Sequence, residues 1–237
     1  MKNVLDICTG IGGFSLALKH LVGGFRTVCY VEIDPYCQRI IQQRIKDGYL
    51  DDAPIYSDLR TFNGLSWAGF VDCITAGFPC QPFSVAGKQQ GEADERNLWP
   101  DLWRVICEVR PRYVFLENVP ALLGRYASTV FGDLAESGYR VRWDCMPASA
   151  VGANHRRDRL WIVADTNEPG LERYWRLVEC AGELAPAPSA WWSGEPGLPR
   201  LDDGSADFVD RTKTTGATVV PAVVREAWDL LTTKEKK

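Results

Sequence analysis

Asp6-Ile7-Cys8-Thr9-Gly10-Ile11-Gly12-Gly13-Phe14 is an apolar run that gives way to three glycines and then to a helical pattern. Val4–Cys8 reads as a first strand and Phe14–Leu21 as the helix behind it. Glycines at such a turn permit positive φ and close approach of the backbone to a ligand, and a helix start offers free N–H groups. Working outward, Thr27–Val31 reads as a second strand and ends on the carboxylate of Glu32. An acid at that place, roughly twenty residues after a glycine turn, is what nucleotide-binding α/β folds use to hold ribose hydroxyls. The turn departs from the order GxGxxG, since Phe14 and Ser15 follow Gly12 and Gly13. Turn and acid therefore fit a nucleotide site, and equally a tight βα connection with a solvent-facing carboxylate.

The same alternation continues along the chain and predicts an α/β fold with a mostly parallel sheet. Tyr36–Arg44 reads as a helix, Pro54–Tyr56 as a short strand, Val71–Ala76 as a fourth strand and Leu98–Val109 as an amphipathic helix. Tyr113–Leu116 is a fifth strand between Pro111 and Pro120, Val130–Ser137 a helix, and Arg140–Met146 with Leu160–Ala164 a late pair of strands. The pattern breaks near Asp165. Beyond it lies a stretch rich in Pro and Gly around Ala185–Pro188 and Trp191-Trp192, and helical spacing resumes over Thr218–Leu231, with Pro221 suited to a first turn. The 237 residues suffice for one large domain or a domain with a small appendage. Hydrophobic content of 46% and charged content of 24% are those of a soluble globular protein. No apolar run approaches the ~20 residues of a membrane helix, and no signal peptide precedes the first strand. Eight cysteines form no CxxC pair, no His stands at metal-ligand spacing, and most of the thiols sit in apolar runs. That predicts a reduced, cytoplasmic protein without a metal. A net charge of −4 argues against a generic nucleic-acid binder but not against a local basic surface.

Gly77-Phe78-Pro79-Cys80-Gln81-Pro82-Phe83-Ser84 supplies the chemistry. It sets one thiol directly after a strand, between two prolines that cannot donate ladder hydrogen bonds. A buried structural cysteine behaves as a small hydrophobe inside an element. A thiol at a sheet edge suits a nucleophile, though a lone loop cysteine is also a common incidental residue.

Taken together, these segments resemble the cytosine-C5 DNA methyltransferase family in its usual motif order over nearly the whole chain. Asp6–Phe14 resembles its cofactor motif, Gly77–Ser84 its catalytic loop, and Glu117-Asn118-Val119 its acidic triplet. His155-Arg156-Arg157-Asp158-Arg159 resembles its arginine-rich strand, and Gly216–Pro221 its final motif. The resemblance implies a Rossmann-like class I methyltransferase sheet with S-adenosyl-L-methionine as cofactor. The implied cofactor residues are Asp6, Cys8, Thr9, Gly10, Gly12, Gly13 and Phe14 in the turn, with Glu32, Ile33, Asp58 and Leu59 on the ribose and adenine. Gly77, Pro79 and Trp99 complete that set, Trp99 being open to a core-packing role instead. Residues 1–165 are then the catalytic, cofactor-binding domain and 166–208 a small irregular target-recognition segment. Residues 209–237 carry a helix that returns to the catalytic domain.

Cytosine C5 is a poor nucleophile until something adds at C6, and a thiolate can add there and later leave. The resemblance gives that role to Cys80. It gives protonated Glu117 the hydrogen bond to N3, for which burial must raise its pKa. Arg159 is implied at the cytosine O2, and Arg157 beside the catalytic loop or a phosphate. Alternation along a strand would put both on one side of the sheet and turn Arg156 and Asp158 elsewhere. A string of solvated charges is the alternative, as a turn acid before Pro120 is for Glu117. The reactive ring atoms are inaccessible in a stacked duplex, so the base must be flipped out. Ser84, Lys88, Gln89 and Arg96 in and after the loop, and Arg173 and Arg200 in the recognition segment, are the candidate contacts to double-stranded DNA. A monomer is expected.

Three departures stand out. Cys8 replaces an aromatic usual against the adenine, and His155 replaces a Gln. Ala217 replaces an Asn near the catalytic loop, which leaves open a slower enzyme, an inactive DNA-binding homologue, or a roomier site. The same chemistry on RNA, tRNA in particular, is a further alternative.

Overall fold

The computed structural model describes residues 1–79, 97–124, 126–166 and 219–233. Seven strands form one sheet: β1 (Lys2–Ile7), β2 (Phe25–Val31), β3 (Ile55–Tyr56), β4 (Cys73–Ala76), β5 (Tyr113–Asn118), β6 (Arg140–Pro147) and β7 (Asp158–Asp165). Their order is β3-β2-β1-β4-β5-β7-β6, parallel except for β7, which runs antiparallel to both β5 and β6. The chain reverses its direction of winding between β1 and β4, and a ligand crevice is expected outside the carboxyl ends of the strands at such a point.

Strands β1, β4 and β5 are buried along most of their length because helices cover both of their faces. On one face α3 (Trp99–Val109) and α4 (Ala127–Glu136) pack Leu102, Ile106 and Val130 against Leu5, Ile7, Ile74 and Leu116. On the other, α1 (Gly13–Ala17) and α5 (Pro221–Thr232) bring Phe14, Val223 and Trp228 onto Val4, Cys73, Phe115 and Trp161. Helix α2 (Pro35–Lys46) follows β2; Asp34 caps it by accepting from Tyr36 N at 2.8 Å, and Pro35 occupies its first turn.

Most element ends shift by one to three residues from the sequence expectation, and two differences stand apart. The first helix is α-helical only to Ala17 and continues as a wider π-type turn over Leu18–Val22. Strand β5 runs past Leu116 to Asn118, because Glu117 and Asn118 pair with Trp161 and Leu160 of β7. Long-range pairing thus overrides the turn signal of Pro120 by two residues. No described helix is long and apolar enough to cross a membrane. Among the described residues, no three His, Cys, Asp or Glu side chains gather as a metal site.

Candidate active site

The glycine turn is built by its own backbone. Cys8, Gly10 and Gly12 adopt positive φ of 50°, 57° and 87°. A Cβ on Gly12 would come within 2.8 Å of Leu50 Cδ1, so this position excludes larger residues twice over. Thr9 Oγ1 donates to the Asp6 carbonyl at 2.7 Å, and the Arg44 guanidinium donates to the Ile11 carbonyl. Glu32 lies against this turn, only 8% exposed. Its Oε2 accepts from Gly10 N at 2.7 Å and its Oε1 from Asp34 N at 2.8 Å. Burial pushes the Glu32 carboxyl above the ordinary range while those two N–H bonds pull it back. It is therefore not the loosely solvated acid that the sequence left open.

Ile33, the next residue, is 60% exposed, an unusual position for a large aliphatic side chain that a flat apolar ligand would cover. Asp58 caps the short turn Leu59–Thr61 by accepting from Arg60 N at 3.0 Å, and Leu59 is buried. Glycine turn, carboxylate, apolar lip and second acid fit an adenosine-bearing group.

Three residues expected at the cofactor have side chains that do not open on this crevice. The Asp6 carboxylate is fully buried and accepts from Ser15 Oγ and Thr75 Oγ1 at 2.6 and 2.7 Å. The Phe14 ring packs edge-on against Phe115 and Trp161 at 5.1 and 5.9 Å, in the core under α1. Trp99 is 1% exposed, its Nε1 donates to Asp133 Oδ2 at 2.7 Å, and its ring lies against Phe78 and Trp103. Each is held by core packing that local sequence does not display. For Phe14 only the backbone remains at the turn.

At the other end of the crevice, Glu117 on β5 is 7% exposed. Arg159 Nε stands 2.8 Å from its Oε1 as an ion pair, and among the described residues Oε1 receives no well-aligned hydrogen bond. Burial raises the Glu117 pKa, opposed by the charges of Arg159 and Arg157. A turn acid it is not. Arg157 adopts φ of 39°, so strict strand alternation does not carry it to the side of Arg159; a left-handed residue just ahead of β7 does that instead. Arg156 ion-pairs with Asp158 at 2.8 Å on the surface.

The roots of the catalytic loop meet Glu117. Asn118 Nδ2 donates to the Phe78 carbonyl at 3.1 Å. A Cβ on Gly77 would come 3.6 Å from Glu117 Oε2 and 3.9 Å from Val219 Cγ1, which brings the residue after the final motif's Thr218 to the same corner. Pro79 closes the described part of this root. Cys80, Ser84, Lys88, Gln89, Arg96, Arg173, Arg200 and Ala217 lie outside the described residues. Sequence reading placed Asn118 in the acidic triplet without a role of its own, and it did not single out Ser15 or Thr75, which hold the Asp6 carboxylate. A polar residue inside an otherwise apolar strand, such as Thr75, was the available signal.

The chain matches the family of C-5 cytosine-specific DNA methylases over residues 2–187. It is 36% identical over 168 residues to the type II methyltransferase M.NgoMIV of Neisseria gonorrhoeae, across 69% of this chain and 52% of that protein. Over 226 residues it is 30% identical to the type II methyltransferase M.CviJI of Paramecium bursaria Chlorella virus IL3A, across 94% of this chain and 58% of that protein. The chain thus spans between half and three-fifths of the length of these relatives. The Dnmt2 methyltransferase of S. pombe shares the fold with a TM-score of 0.61 at 21% identity, over 78% of this chain and 57% of that one. Because the family match runs unbroken from the glycine turn through the acid-bearing strand end and beyond, this chain belongs to the C-5 cytosine-specific DNA methylase family.

Proposed function

We propose that the chain transfers a methyl group from S-adenosylmethionine to C5 of a cytosine flipped out of duplex DNA, by way of a covalent bond between Cys80 and C6. The observation that carries this reading is the corner where Asn118 holds the Phe78 carbonyl and Gly77 faces Glu117. It ties the root of the Cys80 loop to a buried acid whose Oε1 receives no well-aligned hydrogen bond among the described residues. Burial raises the pKa of this acid, which favours the protonated form that donates to a ring nitrogen.

Bound S-adenosylmethionine supplies an electrophilic methyl group. Glu32 would hold its ribose through the acceptor capacity that two backbone N–H bonds leave on a carboxylate, and Ile33 and Asp58 would meet the adenine. The Cys80 thiolate attacks C6, and the electrons of the C5–C6 bond shift into the ring. Protonated Glu117 meets the negative charge that develops at N3, while Arg159 holds O2. C5 would then bond to the methyl carbon as that carbon's bond to the sulfonium sulfur breaks, with S-adenosylhomocysteine as the leaving group. Loss of the C5 proton to base restores the double bond and expels the thiolate from C6. Arg157, beside Glu117 and Arg159, adds positive charge to the same corner.

Duplex DNA carrying 5-fluorocytosine tests this, since fluorine cannot depart as the proton does. Incubated with S-adenosylmethionine, the wild-type chain should form an adduct stable to denaturing electrophoresis, and Cys80→Ser should form none. Trapping on tRNA but not on DNA would transfer the chemistry to RNA. Binding of DNA and cofactor without any adduct or methyl transfer would leave a DNA-binding homologue.

A further inference from the structure

Asp6 Oδ2 accepts from Ser15 Oγ of α1 at 2.6 Å, and Oδ1 accepts from Thr75 Oγ1 of β4 at 2.7 Å. Ser15 Oγ accepts in turn from Thr27 Oγ1 of β2 at 2.9 Å. All four side chains are buried, so one carboxylate joins β1, β2, β4 and α1 beneath the crevice. Apolar residues could fill this volume without the cost of desolvating a carboxylate, and a fully satisfied buried network fixes relative positions in a way that apolar packing does not. The register makes the consequence specific. Asp6 stands directly opposite Thr75 in the β1–β4 pairing. Two residues after Asp6 the glycine turn begins, and two residues after Thr75 the catalytic-loop root begins.

We infer that Asp6 is a positioning residue which, through Thr75 and Ser15, sets the register of the cofactor turn against the root of the nucleophile loop. The inference rests on the function proposed above and assigns Asp6 no contact with the cofactor. Every hydroxyl in the network donates toward the carboxylate, the arrangement an ionised Asp6 requires. Burial pushes Asp6 up to about 7, and Ser15 and Thr75 oppose that rise. The titratable groups around it are Glu32, Cys8, Cys29, Tyr30 and Cys73, each anionic or neutral, so the hydroxyls are what sustains the charge.

A double-mutant cycle separates this role from direct contact. S-adenosylhomocysteine affinity is measured by calorimetry, and the rate of adduct formation on 5-fluorocytosine DNA by gel, for Asp6→Asn, Thr75→Val and the double variant. Loss of a hydrogen bond to a charged buried group is expected to weaken affinity about tenfold in either single variant and to slow trapping with it. The double variant should be no worse than Asp6→Asn, and Thr75→Ser, which restores the donor, should recover both readouts. Thr75→Val at wild-type affinity and trapping rate, with Asp6→Asn impaired, would return Asp6 to direct contact and overturn the inference alone. Failure of the wild-type chain to bind S-adenosylhomocysteine would overturn the proposed function, and this coupling with it.

Discussion

Glu32, just after β2, and Glu117, near the end of β5, stand on either side of β1 and β4 in one sheet, are almost equally buried at 8% and 7% exposure, and are both pushed up by burial. They differ in how their oxygens are met. Both oxygens of Glu32 accept from backbone N–H groups, of Gly10 and Asp34, whose positions the fold fixes. Glu117 has a guanidinium at ion-pair distance, but among the described residues its Oε1 receives no well-aligned hydrogen bond. The first carboxylate is a finished piece of architecture that can hold a ligand without changing. The second has its charge balanced and its hydrogen bonding incomplete, and an incomplete buried polar group is costly unless something arrives to satisfy it. Under the proposed function, binding and chemistry are divided between two acids of the same type by their partners, not by their exposure.

Substituting each acid should break the molecule differently. Glu117→Gln keeps the volume and removes the transferable proton. Methyl transfer should fall by about 10²–10⁴, the range for loss of a positioned acid or base, while S-adenosylhomocysteine affinity stays at the wild-type value. Glu32→Ala should do the reverse. It leaves two backbone N–H groups without their acceptor, at roughly 1–3 kcal/mol each, and so should weaken the cofactor complex by at least about tenfold and lower the melting temperature. Calorimetry and single-turnover methylation read these separately. Equal loss of cofactor binding in both variants would erase the distinction.

Titration sharpens the same contrast. Asp6, Glu32 and Glu117 all bind protons more tightly in the folded chain than in the unfolded one. Folding therefore takes up protons. The stability this preference contributes is complete below the ordinary carboxylate range and is lost as pH rises through the folded values, about 7 for Asp6. Urea unfolding should show lower stability at pH 8 than at pH 5, and Glu117→Gln should flatten that slope. A slope of the opposite sign would mean that Arg157 and Arg159 outweigh burial and keep Glu117 ionised throughout.

The parallel sheet, its glycine turn and both acids were legible because each rests on a local pattern: an apolar run, a turn, a charged residue at the strand end. The family resemblance then ordered them. What was not legible depended on contacts between distant residues. Asp6 reads as a cofactor residue and Trp99 as either a cofactor or a core residue, and the partners Thr75, 69 positions away, and Asp133, 34 away, hold their polar atoms inside. Phe14 likewise vanishes under α5, a helix more than 200 residues later. Arg157 was expected to alternate with Arg159 as a strand would dictate, but its φ of 39° is a backbone choice that residue type does not announce.

The smallest effect is expected at Arg156. Its side chain is 83% exposed and its guanidinium meets Asp158 Oδ2 at 2.8 Å, so water competes for both partners. Exposed pairs of this kind are worth about 0–1 kcal/mol, because the attraction is screened and two long side chains must be held still. The backbone carbonyl of Arg156, which accepts from Ala148 N at 2.6 Å, is untouched by a change of side chain. Arg156→Ala should therefore leave the urea midpoint and S-adenosylhomocysteine affinity as they are. Arg159→Ala, three residues along, strips the counter-charge from a buried acid and should lower the urea midpoint. DNA affinity measured across a salt series decides whether Arg156 is only a solvated charge. An unchanged salt slope keeps it so, and a slope lower by about one unit would make it a phosphate contact on the rim of the Glu117 corner.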